Sequence, residues 1–318
     1  MSGSSEPAMP ALSVVIPHLN EPVALHRCLT ALDAQRQDRV DFEIIVADNG
    51  STQSPAAICT LFSGTRLIVE TTPGPGPARN RGAAVARGSI LAFIDADCVA
   101  QPGWVRVISG YFEHNPETDF IGGSIGVLPA GDGFTAVEAY EAVFSYRTAL
   151  LVQRQRFAPT GNMAVRRESF LKVGPFAGIA RHEDRVWGHK AVGMGLKLDY
   201  VPAARVLTGG SASFKALARR TDIHVAHDFA DMPPGVGARA RWAMLALVIA
   251  ASPLVQIAAI MRSPEVSRLR ERLGAARCLI GIRLHRAWRM IALLFHDWSG
   301  RQLDGWNRSA PIDEPAER

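Results

Sequence analysis

Asp95 and Asp97 stand two apart at the end of the apolar run Ser89-Ile-Leu-Ala-Phe-Ile94. That run reads as a buried strand, and side chains two apart on a strand share a face. Both carboxylates therefore leave the C-terminal end of the strand together, where open α/β sheets place their ligands. Paired carboxylates there can hold a hard divalent cation, and such a cation can clamp a diphosphate. An Asp-x-Asp triplet also arises by chance in loops, so its neighbours decide its meaning.

Three more polar clusters follow apolar runs. Leu12 to Ile16 leads into Pro17-His-Leu-Asn20-Glu21, and Phe42 to Ala47 leads into Asp48-Asn49-Gly50-Ser51-Thr52. Arg66 to Glu70 is followed by Gly74-Pro-Gly76-Pro-Ala-Arg79-Asn80-Arg81-Gly82. Strand ends of a parallel sheet converge on one crevice, so the four clusters should meet.

The elements that would position them alternate. Helices are expected at Pro22 to Gln35, where Leu25, Leu29 and Leu32 share a face, at Pro55 to Phe62, at Pro77 to Ala86 and at Pro102 to His114. Strand–helix alternation with apolar strands predicts an α/β fold, a mostly parallel sheet with flanking helices. After Asp119 the rhythm breaks. A strand at Phe120 to Leu128, a long helical stretch at Thr135 to Gln153, an extended turn at Phe157 to Arg166, a helix at His182 to Met194, an extended run at Leu196 to Val206 and a helix over 213–230 are expected.

The C-terminal part differs in character. Trp242 to Met261 is twenty residues without a charge, long enough for a bilayer core of roughly 30 Å, although Pro253 would kink it. Arg277 to Phe295 is amphipathic, with Ile280, Leu284, Trp288, Ile291 and Phe295 as a stripe and Arg283, Arg286 and Arg289 off it. A basic helix with a Trp on its apolar face fits a membrane interface, and core or dimer packing is the alternative.

Composition agrees with a large core: 318 residues, 47% hydrophobic and 20% charged. The net charge of +5 is uneven, because residues 236–310 hold 12 Arg and no Lys against four acids, 12 − 4 = +8. Such a stretch suits phosphates, and the apolar helix beside it favours lipid over nucleic acid. Cys28, Cys59, Cys98 and Cys278 have neither metal-ligand nor disulfide spacing and are expected as reduced core thiols. Met1 to Pro10 lacks the apolar segment of a signal peptide. The expected location is the cytoplasmic face of the cell membrane, or the cytoplasm.

Dinucleotide and P-loop readings fail on the glycines. Gly74-Pro-Gly76-Pro-Ala-Arg79 lacks a third glycine and follows the third strand, the turn Pro17 to Pro22 has none, and no Walker-type segment occurs.

Pro17-x-x-Asn20-Glu21, Asp48-Asn-Gly-Ser51, Ala78-Arg79-Asn80-x-Gly82, Asp95-x-Asp97, Gly161-Asn162 and Glu183-Asp184 occur in the order seen in family 2 glycosyltransferases. The chain resembles that family over roughly residues 11–215. The resemblance implies a GT-A fold, a nucleotide-diphosphate sugar donor, a divalent cation (Mn2+ or Mg2+) and a single inverting displacement onto a glycan or lipid-linked acceptor hydroxyl. It makes 11–118 the nucleotide-sugar half and 119–235 the acceptor half. Helices over 236–300 are expected at the membrane, and the ends, 1–10 and 301–318, are expected to be disordered.

The resemblance also implies roles. Asp97 would ligate the metal, and Asp95 would contact ribose or a metal-bound water. Pro17, Asn20, Glu21, Asp48, Asn49 and Arg79 would join Asp95 in binding the nucleotide sugar. Asp48 could accept the imide N–H of uracil, which favours a UDP-sugar. Asp48 could equally hold a turn, and Asn20 and Glu21 could cap the helix at Pro22. Gly161, Asn162 and Glu183 would face the acceptor, with Asp184 as general base; capping of a helix start is the alternative for the acidic pair. Thr208 stands where many relatives carry a histidine, so a third metal ligand is open among His182, His224, His227 and water. The Gln-x-x-Arg-Trp signature of processive synthases is absent, which favours single-sugar transfer. A nucleotidyltransferase would need a Gly-rich basic loop after the first strand, and a non-catalytic sugar-nucleotide or lipid-binding scaffold would not need Asp97 and Asp184.

Overall fold

The computed structural model describes residues 10–178 and 182–295. The expectations for residues 1–9 and 301–318 lie outside that range. One eight-stranded sheet runs through the chain. Its first four strands are β1 (Leu12–His18), β2 (Phe42–Asp48), β3 (Thr65–Val69) and β4 (Ile90–Ile94). They lie in the order β3-β2-β1-β4, all parallel. Each is linked to the next by a crossover: α1 (Pro22–Asp33), α2 (Ala56–Cys59) and α3 (Pro75–Val85). Parallel neighbours require such crossovers.

Both faces of β1, β2 and β4 are covered, while β3, at the sheet edge, is partly exposed. Val14 and Ile16 pack with Leu25, Leu29 and Trp104 on one side. Val15, Ile45 and Phe93 pack with Phe170, Phe176 and Trp187 on the other. Burial on both faces is why β1, β2 and β4 read as largely apolar runs, with Ser13 and Glu43 the polar exceptions that bond each other. On α3, a Cβ at Gly82 would come within 2.4 Å of Val15 Cγ1, so glycine lets that helix lie against β1.

The rest of the sheet is mixed. β5 (Cys98–Ala100) directly follows the Asp95–Asp97 turn, and α4 (Trp104–His114) leads to β6 (Phe120–Leu128). β7 (Asn162–Arg166) pairs antiparallel with both β4 and β6; β8 (Leu198–Gly209) lies parallel to β6 and antiparallel to the edge strand β5. The predicted helix over 135–153 is two, α5 (Ala136–Phe144) and α6 (Thr148–Gln153), separated by Ser145-Tyr146-Arg147. α5 starts on a capping box: Glu138 N donates to Thr135 Oγ1 at 3.2 Å and Thr135 N to Glu138 Oε2 at 2.8 Å. α7 (Arg167–Val173) and α8 (Glu183–Gly193) complete the layer over the second core.

The C-terminal helices are α9 (Phe214–Ala230), α10 (Val236–Ala251), α11 (Pro253–Arg262) and α12 (Leu269–Phe295). The apolar stretch breaks where Pro253 opens α11, and the two helices bend by 46°. Among the described residues no single helix is long and apolar enough to cross a membrane; the bent pair reaches that length and composition together. α12 carries two apolar faces. Ala275, Leu279 and Ile282 pack on Val137 and Tyr140 of α5, Leu217 of α9 and Ile260 of α11. Ile280, Leu284, Trp288 and Phe295 are exposed. The predicted stripe therefore faces outward except at Ile291, which packs with Trp242 and Ala246 of α10, while Arg283 and Arg286 turn toward a cleft inside the protein.

Candidate active site

A cleft of about 820 Å³ opens at the C-terminal ends of β1 and β4. This is where the strand order turns back, the usual ligand position of such sheets. Glu21, Arg79, Asp95 and Asp97 line one end, and Gly161, Glu183 and Asp184 line it from the later part of the chain.

Arg79 joins the two parts. Only 3% of it is exposed. Its Nη2 donates to Asp95 Oδ1 at 2.5 Å and its Nη1 to Glu183 Oε1 at 3.0 Å. The same guanidinium thus fixes the acidic turn after β4 and the first residue of α8, 104 residues further on. Gly161 lies against that turn, where a Cβ would come within 2.7 Å of Asp95 Oδ2. Only glycine leaves the carboxylate in place.

Asp184 follows Glu183 in the first turn of α8. Burial, and then the charge of Glu183, hold its pKa above the usual carboxylate value; the Arg185 N–H, bound to Oδ1 at 2.7 Å, Arg79 and His182 pull the other way. A raised pKa makes a carboxylate a stronger base near neutral pH.

Elsewhere in the cleft Glu21, Asp95 and Asp97 act on one another through their charges. Burial and then the charge of Asp95 raise the pKa of Asp97, although Thr208 and Cys98 hydrogen-bond it. Glu21 is pushed up to about 7 by burial, then by Asp97 and Asp95. Among the described residues no three His, Cys, Asp or Glu side chains converge as a ready ligand set. Two carboxylates at a strand end, open to water and to a diphosphate, still suit a hard cation that keeps most of its other ligands from solvent and substrate. Asp97 and Asp95 are the residues that fit it. His182, His224 and His227 turn to one another, with ring centroids 5.8 Å and 5.1 Å from His182. The side chain that reaches Asp97 is Thr208, whose Oγ1 donates to Oδ2 at 3.1 Å.

The raised Glu21 has a measurable consequence. Ionisation of a carboxylate whose folded pKa is raised favours the unfolded chain. The penalty is absent below about pH 4.5 and complete above about 7. Without metal, Glu21→Gln should raise the melting temperature at pH 8 by about 2–4 °C, the shift of about 1 kcal/mol in a domain of this class. At pH 4 the gain should vanish. A gain independent of pH would show that the charge of Glu21 is not its cause.

Several expected site residues do not reach the cleft surface through their side chains. Asp48 is buried; Ser51 donates to it through Oγ, at 2.5 Å to Oδ1, and through N, at 3.2 Å to Oδ2. Asn20, at φ 55°, accepts from Thr52 N at 2.8 Å and so ties two loops rather than capping α1. Asn49 spans from Thr72 O, 2.7 Å, to Gly74 N, 2.7 Å; its side chain holds the loop after β3 even though the residue borders the cleft. Asn162 is a correction to the expected acceptor contact. It is 2% exposed, accepts from Trp104 Nε1 at 2.9 Å and donates to Ser124 O and Ala204 O at 2.8 Å each. Its amide is fully engaged by the sheet and the helix beside it.

His18 was not expected. Glu21 N donates to its Nε2 at 3.3 Å, which leaves the proton on Nδ1 to bond Asp48 Oδ1 at 3.0 Å. It therefore ties the ends of β1 and β2 beneath Glu21. Pro17 and Asn20 on either side were the only hint of this in the sequence.

Comparison with known proteins identifies the family of the chain. The model of glycosyl transferase family 2 matches residues 13–174, just over half of the chain. Glycosyltransferase AglE of Haloferax volcanii is 31% identical over 60% of this chain and 64% of its own length. The PGL/p-HBAD biosynthesis glycosyltransferase of Mycobacterium tuberculosis is 35% identical over 37% of this chain and 48% of its own length. The chain thus spans less than two thirds of these relatives. A solved mannosyltransferase, PcManGT from Pyrobaculum calidifontis in complex with GDP-Man and Mn2+, superposes with a TM-score of 0.54 at 18% identity, over 89% of this chain and 85% of that one. At that identity the likeness concerns the fold, which is that of GT-A glycosyltransferases. By the match of the family model over residues 13–174, this chain belongs to glycosyl transferase family 2.

Proposed function

We propose that the chain transfers a single sugar, with inversion, from a nucleotide-diphosphate sugar to a hydroxyl of a glycan or lipid-linked acceptor, with a divalent cation and at a membrane surface. The observation that carries this reading is the Arg79 bridge, which sets the acidic turn Asp95–Asp97 and the pair Glu183-Asp184 on one cleft. Arg79 has one hydrogen-bonding nitrogen left, because its Nε is buried with no hydrogen-bond partner among the described residues.

In this reading the acceptor hydroxyl gives its proton to Asp184 as its oxygen attacks the anomeric carbon. The nucleotide diphosphate leaves from the opposite face toward Asp97, so one displacement inverts the centre and one base suffices. A divalent cation on Asp97 and Asp95 would offset charge gathering on the departing diphosphate. Glu183 keeps Arg79 in place and Gly161 leaves room for Asp95. The carboxylate of Asp48 is taken by Ser51 and His18 and so selects no base, and the Pyrobaculum structure holds GDP-Man, so the donor has to be measured. A thermal-shift panel of UDP-, GDP- and dTDP-sugars with and without Mn2+ does so. A ligand at a hundredfold its Kd stabilises by about 2.7 kcal/mol. The anomeric configuration of the transferred sugar, read by NMR, decides inversion. No metal-dependent stabilisation by any nucleotide sugar would overturn the reading.

Membrane contact is supported by the outer faces of α10, α11 and α12. Leu254 is 86% and Val255 76% exposed, with Leu247, Val248 and Trp288 also exposed. Removing all these helices is a poor test, because α12 covers Val137, Tyr140 and Leu217. Paired substitutions Leu254→Glu and Val255→Glu touch only exposed positions. The unmodified chain should float with vesicles of phosphatidylcholine and phosphatidylglycerol and stay bound in high salt, since burying each Leu or Val contributes roughly 1.5–3 kcal/mol that salt does not screen. The double variant should stay in solution with an unchanged melting temperature. Failure of the unmodified chain to bind vesicles would refute membrane contact.

A further inference from the structure

The cleft extends past Asp184 to a wall made by α9 and α12, and that wall is unbalanced in charge. Arg220, Arg283 and Arg286 line it. Arg220 is occupied by the buried Glu141 and by Tyr146 Oη at 3.4 Å. Glu141 is itself held by Ser211 N at 2.6 Å and Ser211 Oγ at 3.0 Å. Arg286 has one long contact, Nη2 to Asp228 Oδ2 at 3.4 Å, and its Nε is buried without a hydrogen-bond partner among the described residues. Arg283 makes no hydrogen bond or ion pair with any described residue, and its Nε too is buried. Asp222, also on α9, is taken by His285 at 2.9 Å and Arg289 at 3.5 Å.

Withdrawing an unpaired guanidinium from water is costly. Burial and then the nearby Arg286 and Arg147 lower the pKa of Arg283, against the favourable influence of Tyr140. The neighbouring imidazoles of His182 and His224 add further donors, and Asp228 is the acid of α9 that lines the cleft beside them. His182, directly before the acidic pair, stands beside His224, whose pKa falls to about 4 through burial and then His182, Arg220 and Arg286. The wall is therefore built for an anion that the protein itself does not supply. The planar fork of Arg matches phosphate oxygens. The donor's own diphosphate is assigned to Asp97 and not to this wall.

We propose that the acceptor carries a phosphate group, as a monoester or a diphosphate, and that Arg283 and Arg286 hold it at the α9–α12 end of the cleft while Asp184 faces the hydroxyl that reacts. The inference rests on the glycosyltransferase reading, which makes Asp184 the acceptor end. The phosphate could belong to a lipid or to a soluble sugar phosphate. α12 favours the lipid, since Leu284 and Trp288 on its outer side are exposed beside the inward Arg283 and Arg286.

The test is a titration of the full chain in detergent with farnesyl phosphate and with farnesol, in chelator and without donor, read by tryptophan fluorescence. Farnesyl phosphate should bind about tenfold or more tightly than farnesol, the scale of a charge-assisted pair. Arg283→Gln should erase most of that difference, and Arg283→Lys, which keeps charge but not the fork, should restore part of it. The melting temperature of Arg283→Gln should not fall, because the arginine has no partner to lose. UDP and GDP binding with Mn2+ should persist in the variant. Equal binding of farnesol and farnesyl phosphate would overturn the proposal. So would a variant that loses nucleotide-diphosphate binding as much as farnesyl phosphate binding, since that places Arg283 on the donor. Failure of the glycosyltransferase reading would show separately, as no metal-dependent nucleotide binding by the unmodified chain. Inorganic phosphate competing as well as farnesyl phosphate would assign a soluble phosphate acceptor; competition by farnesyl phosphate alone would assign a lipid-borne one.

Discussion

Asp184→Asn should lower kcat by roughly a hundredfold or more, the scale of a lost general base, with KM for the nucleotide sugar nearly unchanged. The asparagine keeps the size of the side chain and can still accept from Arg185 N, now 2.7 Å from Oδ1. Only the proton acceptor is lost. The pH profile should move with it. Asp184 must be ionised to act, and its pKa lies above the usual carboxylate value. Turnover should therefore fall as pH drops through that raised value, earlier than an exposed aspartate would impose. Asp184→Asn should abolish this acid limb at its low residual rate. Glu21 titrates about 7 in the same cleft, so Glu21→Gln is the control: the limb should survive there. A donor KM rising as steeply as kcat falls would move Asp184 from the chemistry to the donor.

The parallel half of the fold could be read from the chain because its strands are buried on both faces. Ile90 to Ile94 is apolar without interruption and Leu12 to Ile16 apart from Ser13, and short runs of that kind bounded by turns fit strands covered on both sides. β7 could not be read so. Asn162–Arg166 takes its place between β4 and β6 through pairings with residues more than forty positions away, which no local pattern encodes. The same distance explains the polar side chains. Carboxylates are too costly to bury unpaired, so Asp95 and Asp97 came to the cleft while Asp48 was buried only with His18 and Ser51 as partners. Amides are not so costly, and they can satisfy backbone groups almost anywhere. Asn162 therefore went to Trp104 and Ala204, Asn49 to Thr72 and Gly74, and Asn20 to Thr52. On α12 the period of the apolar residues was legible, but the helix has two apolar faces. Which one turns inward is set by α5 and α9, and with it the direction of Arg283 and Arg286.

Asp97→Ala is expected to separate function from stability most widely. The side chain accepts from Thr208 Oγ1 at 3.1 Å, from Cys98 Sγ at 3.6 Å and from its own backbone N–H, and it faces the repulsion of Asp95. Its removal relieves Glu21 as well, whose pKa Asp97 raises second only to burial. The metal-free variant should therefore melt at the same temperature as the unmodified chain at pH 8, or higher. In transfer it should lose a hundredfold or more, the scale seen when charge stabilisation of a leaving group is removed. The stabilisation of the protein by a nucleotide diphosphate should also lose its dependence on Mn2+, a readout that needs no acceptor. Asp97→Asn, which keeps the Thr208 contact without the charge, should behave as Asp97→Ala does if charge is the reason. A variant that folds, still shows Mn2+-dependent nucleotide binding and still transfers sugar would remove Asp97 from the metal site. Asp95 and Glu21 would then be the carboxylates left to hold the cation, and Arg79, now bound to Asp95 at 2.5 Å, would have to give way to it.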